Sequence, residues 1–70
     1  MKYFKIKRLI ESPKRVYILE EYRKEESLDE IIKEINKGTI NDTIILHTSE
    51  ITEKEYDKMQ TKIIFERIKR

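Results

Sequence analysis

A helix signal in the middle of the chain is the strongest structural feature of the sequence. Ser27 and Glu30 form a capping-box pattern, in which each side chain can bond the backbone N–H of the other residue. Behind it, apolar residues recur at the i, i+3, i+4, i+7 spacing of one helical face: Leu28, Ile31, Ile32 and Ile35. The pattern predicts a helix over residues 28–37, ended by Gly38 in the left-handed conformation. Such an amphipathic helix needs an apolar surface to pack against.

Alternating segments on either side of the single proline can supply that surface. Residues 2–10 and 16–22 both alternate apolar with polar side chains and favour strands. Residues 11–14, which include Pro13, are predicted to form a hairpin loop, because proline cannot donate to a strand ladder. A four-residue loop would place Lys5 opposite Glu20. We assign a second hairpin face, opposite Phe4, Ile6 and Ile18, to Tyr3, Leu9, Tyr17 and Leu19.

The C-terminal half predicts one strand and one helix. The apolar run at residues 43–46 is typical of a strand covered on both faces, with Ile40 as a candidate extension. Thr52 and Glu55 form a second capping box, so a helix is predicted from residue 53 onward. Its apolar stripe continues through Tyr56, Met59, Ile63, Ile64 and Ile68. Residues 62–68 are also compatible with a strand, but the stripe is continuous with a capped start and favours the helix.

Together these segments predict a single small α+β domain spanning residues 1–70. The element order is β-β-α-β-α, with a three-stranded, mainly antiparallel sheet, one helix packed on it and a C-terminal helix. Three strands and a helix are about the minimum for independent stability.

Length and composition limit what such a domain can do. Its 70 residues are 37% apolar and 43% charged, which leaves few side chains for both a core and a deep pocket. We therefore expect no small-molecule substrate and no cofactor. The chain has no cysteine and no long apolar run, so disulfides, a signal peptide and a membrane span are not expected, and the cytoplasm is the predicted location.

Residue types that could carry catalysis or bind metal are few. His47, Ser49 and Glu50 lie almost adjacent in sequence, where a base and a nucleophile rarely reach hydrogen-bonding geometry. The acidic cluster between the second strand and the helix lacks the histidine or cysteine spacing of a metal site: Glu20, Glu21, Glu25 and Glu26. We predict no enzyme, no catalytic residue and no metal site.

Two candidate functions remain, and one of them depends on charge. Residues 1–15 carry six basic side chains against one acidic side chain, and the C-terminus is also basic. Such a surface could follow a phosphate backbone through Lys5, Lys7, Lys14, Arg15, Arg67, Lys69 and Arg70. Neighbouring glutamates would offset this charge, so nucleic-acid binding is the alternative hypothesis, and lysines that protect a strand edge are the simpler interpretation.

The leading hypothesis is a non-enzymatic protein–protein interaction module that forms a homodimer and binds an unidentified protein partner. A domain with so few apolar residues gains stability from self-association, and two-fold dimers are the commonest oligomers. The predicted interface combines the second hairpin face with the C-terminal segment: Tyr3, Leu9, Tyr17, Leu19, Ile63, Ile64, Phe65 and Ile68.

In size, in its content of Ile, Lys and Glu, and in the order of its first four elements, the chain resembles the small Yopt family of uncharacterised prophage proteins. The similarity is carried by residues 2–22 as a hairpin, 27–38 as a capped helix and 43–47 as a strand. The resemblance implies a homodimer with one helix and three strands per subunit and no assigned activity. The predicted second helix departs from that pattern.

Overall fold

In the computed structural model, which describes residues 1–38 and 42–69, the chain forms four strands and two helices. They are β1 (Lys2–Glu11), β2 (Arg15–Glu25), α1 (Leu28–Gly38), β3 (Asp42–Ile51), α2 (Glu53–Lys58) and β4 (Lys62–Ile68). The α+β class is as predicted, but the architecture is not.

The sheet has four strands in the order β3-β1-β2-β4, and every neighbouring pair is antiparallel. The prediction of three strands and a C-terminal helix is therefore wrong. The second helix ends at Lys58, Met59 is extended with a ψ of 152°, and residues 62–68 pair with β2. The β-branched and aromatic side chains at Ile63, Ile64 and Phe65 favour a strand once β2 offers an edge with which to pair.

The hairpin of β1 and β2 is confirmed, with a tighter loop than predicted. Only residues 12–14 separate the strands, and Ser12 closes the loop by donating its backbone N–H to the Arg15 carbonyl at 2.9 Å. Lys5 lies opposite Tyr22 and Lys7 opposite Glu20, so the predicted register, with Lys5 directly opposite Glu20, is wrong.

This register also corrects the predicted faces of the hairpin. Directly opposed residues of neighbouring strands share a face of the sheet. Tyr17 lies opposite Ile10, and Leu19 lies opposite Arg8, so both share a face with Phe4 and Ile6 rather than with Tyr3 and Leu9. Ile18, opposite Leu9, lies on the face predicted for Tyr17 and Leu19.

The core lies between α1 and one face of the sheet, which we call the helix face. Its buried cluster consists of Phe4, Ile6, Ile31 and Ile35, with Leu28 and Ile45 partly buried against it. The predicted helix and its apolar face are confirmed within one residue. Gly38 does not have a positive φ, so the predicted left-handed stop is wrong.

The third strand is longer and more exposed than predicted. It pairs with β1 alone, at the edge of the sheet, and its register shifts between Lys7 and Arg8. The side chains of Ile44 and Leu46 are 58% and 49% exposed, so the prediction of a strand covered on both faces is wrong. Its candidate extension, Ile40, lies outside the described residues.

The short helix α2 begins with the predicted capping box, which is confirmed. The Thr52 hydroxyl accepts the Glu55 N–H at 3.1 Å, and the Glu55 carboxylate accepts the Thr52 N–H at 3.3 Å. The helix is fixed to β1 by an aromatic contact between Tyr3 and Tyr56, whose ring centroids are 5.0 Å apart. Within the described residues, no helix is long and apolar enough to cross a membrane.

Candidate protein-interaction surface

The outer strand β4 is exposed along its whole length. One of its edges pairs with β2, and no described strand pairs with the other. Four of its seven residues are large and apolar: Ile63, Ile64, Phe65 and Ile68. The side chains of Phe65 and Ile68 are 50% and 61% exposed, so this strand concentrates apolar surface of the kind that marks an interface.

A row of apolar side chains crosses the face of the sheet away from α1, which we call the open face. The row takes one residue from each strand: Ile44 lies opposite Leu9, Leu9 opposite Ile18, and Ile18 opposite Phe65. Leu9 and Ile18 are half-buried, whereas both ends of the row are exposed. We call these four residues the apolar row.

The helix face carries a second exposed apolar group where α1 does not reach. Leu19 lies opposite Ile63, and Arg15 lies opposite Ile68, so these two isoleucines of β4 are on the helix face. Tyr17 shares this face, and the Arg15 guanidinium lies 4.4 Å from the centroid of its ring. The apolar side chains of β4 are therefore divided between the two faces of the sheet.

The structure brings together only part of the predicted interface set. Leu9 and Phe65 belong to the apolar row, while Tyr17, Leu19, Ile63 and Ile68 lie on the opposite face. Ile64 is the additional residue at a register shift in β4, between the partners of Ile18 and Leu19.

Tyr3 is the member of the predicted set that already has a neighbour in the chain. It contacts Tyr56 on α2. Burial and the negative charge of Glu53 raise the pKa of the Tyr3 hydroxyl. Helix α2 therefore covers this end of the open face and leaves the apolar row uncovered.

Two residues of the apolar row, Ile18 and Ile44, were not predicted as interface residues. The alternating pattern of β2 shows that Ile18 lies on an apolar face, but only the observed register places it beside Leu9 and Phe65. The sequence predicts Ile44 in a strand covered on both faces, whereas β3 lies at the sheet edge and leaves Ile44 exposed.

The open face has a charged network next to the apolar row, centred on Glu20. Its carboxylate lies 3.6 Å from the Lys5 ammonium and 3.9 Å from that of Lys62. Burial together with the Glu20 carboxylate raises the pKa of the Tyr22 hydroxyl. One buried acid thus offsets two basic side chains from β1 and β4 and joins three strands.

The helix face has a second buried acid, Glu21. One carboxylate oxygen lies 2.8 Å from Arg8 Nε and the other 3.2 Å from Arg23 Nε. The Arg23 pair is a hydrogen bond, whereas Arg8 Nε and the near oxygen of Glu21 have no hydrogen-bond partner, so their contact is an ion pair with a poorly aligned N–H. Arg23 also pairs with Glu34 of α1 at 3.3 Å.

The basic residues proposed for nucleic-acid binding are dispersed and partly neutralised. Lys5 pairs with Glu20, Arg15 with Glu66, and Lys69 with Glu11 at 2.9 Å. Within the described part of the chain, no ion pair involves the remaining three, Lys7, Lys14 and Arg67. Arg70 lies outside the described residues.

The residues considered for catalysis all lie on β3, where each has a basic residue as its neighbour or ion-pair partner. On β3, His47 lies opposite Lys7 and Ser49 opposite Lys5, while Glu50 pairs with Lys2 at 3.7 Å. Among residues 1–38 and 42–69, no cluster of three or more histidine, aspartate or glutamate side chains could hold a metal ion.

Comparison with protein-family models, with curated protein sequences and with solved structures found no significant match to this chain. The resemblance to the Yopt family therefore stays a prediction.

Proposed function

We propose that this protein is a non-enzymatic protein-binding module that works as a homodimer. The observation that supports this proposal is strand β4, which presents four large apolar side chains at an exposed edge of the sheet. A surface of this kind costs free energy in water unless another protein covers it. The open face supplies a further apolar contact area in the apolar row, suited to a protein partner of the dimer.

Light scattering on a sizing column tests the homodimer directly. We expect a mass twice the 8.6 kDa of the chain, unchanged between low and high salt, because the contact surface is apolar. A mass of 8.6 kDa at all accessible concentrations would contradict the proposal. A dimer that dissociates as salt rises would indicate that charge, and not apolar burial, holds it together.

The alternative is an electrostatic nucleic-acid binder, and it is favoured by the unpaired basic residues on the open face. Lys7 and Arg67 both lie there, opposite Glu20 and Val16 respectively. If this function is correct, replacing both with Ala should weaken binding of single-stranded DNA or RNA and reduce its salt dependence by about two charges. Lys33→Ala on α1 is the matched control. Equal affinities for the two variants would refute this alternative.

The location in the cytoplasm and membership of a prophage family are further proposals. They are supported by the absence of cysteine and by the resemblance in composition and element order.

A further inference from the structure

We infer that two copies of this chain join edge to edge through β4, which forms a continuous eight-stranded antiparallel sheet. This inference rests on the proposed homodimer and specifies its interface. Four observations support it: the free backbone groups of β4, the distribution of its apolar side chains, the neutralisation of its charges, and the large exposed area of the whole chain.

The backbone of β4 has hydrogen-bonding groups that face outward. Lys69 donates its backbone N–H to the Lys14 carbonyl at 2.9 Å, so the backbone groups of Lys69 point toward the β1–β2 hairpin. In an antiparallel strand, consecutive residues direct their backbone groups to opposite sides. Ile68 and Glu66 therefore direct N–H and C=O toward the free edge, where a further strand can pair with them.

The side chains of β4 distinguish an edge partner from a partner stacked on one face. Ile63 and Ile68 lie on the helix face, and Phe65 lies on the open face. A protein packed on either face would leave the other set exposed. A strand added at the edge contacts both sets, because cross-strand neighbours lie on each side of the pleat.

The exposed area of the chain is larger than that of a typical monomer of this mass. A folded monomer of 8.6 kDa is expected to expose about 4,700 Å². This chain exposes 5380 Å². The excess of about 700 Å² is close to the roughly 800 Å² that each partner buries in a standard interface. A second copy that buries an interface of standard size would remove this excess.

The charges near the free edge favour a second copy over a charged partner. Three charged side chains there are already paired within the subunit: Lys62 with Glu20, Glu66 with Arg15, and Lys69 with Glu11. Arg67 is the only charged residue of β4 without an ion pair among the described residues. Two such edges can approach with little repulsion, because their charges are locally compensated.

One register makes the apolar rows of the two copies continuous. The register shift of β4 precedes Phe65, so residues 65–68 pair regularly with β2. If Phe65 lies opposite Phe65 of the second copy, the two apolar rows join into eight apolar side chains across one face. This pair is a non-hydrogen-bonded one, in which Cα atoms are about 4.5 Å apart and side chains are closest.

A matched pair of substitutions at Glu66 tests the edge contact. Both Glu66→Ala and Glu66→Pro lose the ion pair with Arg15, but only Glu66→Pro also loses the outward N–H. Proline at an outward-facing position of an edge strand is compatible with the pairing to β2. We expect Glu66→Pro to weaken dimerisation at least about tenfold relative to Glu66→Ala, measured by sedimentation at a series of concentrations. Equal dissociation constants would overturn the edge contact.

Cysteine cross-linking provides a second test, because the chain has no cysteine of its own. Under oxidation, Phe65→Cys should form a disulfide between subunits, since its expected Cα separation is within disulfide range. Ile44→Cys is the control, as a similarly exposed member of the apolar row at the opposite edge. Cross-linking of Ile44→Cys in place of Phe65→Cys would overturn the β4 contact. A monomeric wild-type protein would refute the proposed homodimer as well, so the two failures are distinguishable.

Discussion

Replacing Ile6 with Ala is expected to remove most of the stability of this protein. Ile6 has no exposed surface and packs with Phe4, Ile31 and Ile35 in the buried cluster under α1. Truncating a fully buried isoleucine typically costs about 2–5 kcal/mol, because transfer free energy is lost and a cavity remains. A core of this size rarely supplies more than about 3–5 kcal/mol, so a substantial unfolded population should be present without denaturant.

Urea unfolding followed by far-ultraviolet circular dichroism measures this loss. All variants need the same protein concentration, because dimerisation would couple stability to concentration. Ile44→Ala is the matched control, since it makes the same change at a side chain that is 58% exposed. We expect a change within about 0.5 kcal/mol for this control. Similar losses for the two variants would show that the buried cluster is not the main source of stability.

The sequence is most informative where local chemistry determines the structure. The first helix follows from its apolar spacing, and the start of the second follows from a capping box in which Thr52 and Glu55 bond each other. Both signals are complete within a few residues of the chain. For that reason they could be recognised without knowledge of the sheet.

The prediction of a C-terminal helix is wrong because the local signals of this segment fit two structures. Ile63, Ile64 and Ile68 satisfy the helical spacing, yet their β-branched side chains also fit a strand. The decision depends on a partner distant in sequence: Ile18 lies opposite Phe65, and Arg15 opposite Ile68. The periodicity within the segment does not indicate that the edge of β2 is available for pairing.

The candidate surface depended on register, which a short loop determines. The three residues 12–14 place Tyr17 opposite Ile10, and this one pairing assigns each later β2 side chain to a face. The apolar residues of the interface could therefore be recognised from the sequence, but not their division between two faces. That division is what favours an edge partner over a stacked one.

Because the core is small, the buried acids contribute a large share of the free energy of unfolding. Phe4, Ile6 and Ile10 are the buried apolar residues of β1, and the side chain of Arg8 lies between the last two in sequence on the same face. The carboxylate of Glu21 holds this arginine and Arg23 together. A charged group therefore occupies a place that an apolar side chain fills in most small sheets.

Replacing Glu21 with Ala should consequently destabilise the protein by about 3–5 kcal/mol. Glu21 is 7% exposed and the Arg8 side chain 12% exposed, so the substitution leaves a nearly buried guanidinium without its carboxylate. Glu34→Ala is the control, because it removes the exposed partner of Arg23 and should cost less than about 1 kcal/mol.

A double variant separates the value of the ion pair from the cost of leaving one charge unpaired. Replacing Arg8 and Glu21 together with Met removes both charges and leaves Arg23 paired with Glu34. Replacing a buried ion pair with apolar side chains of similar volume is often neutral or stabilising, so we expect the double variant to be more stable than Glu21→Ala. Urea unfolding at one protein concentration measures the stability of the wild-type protein, of Glu21→Ala and of the double variant. If the double variant is as unstable as Glu21→Ala, the loss arises from packing around Glu21 and not from the unpaired charge of Arg8.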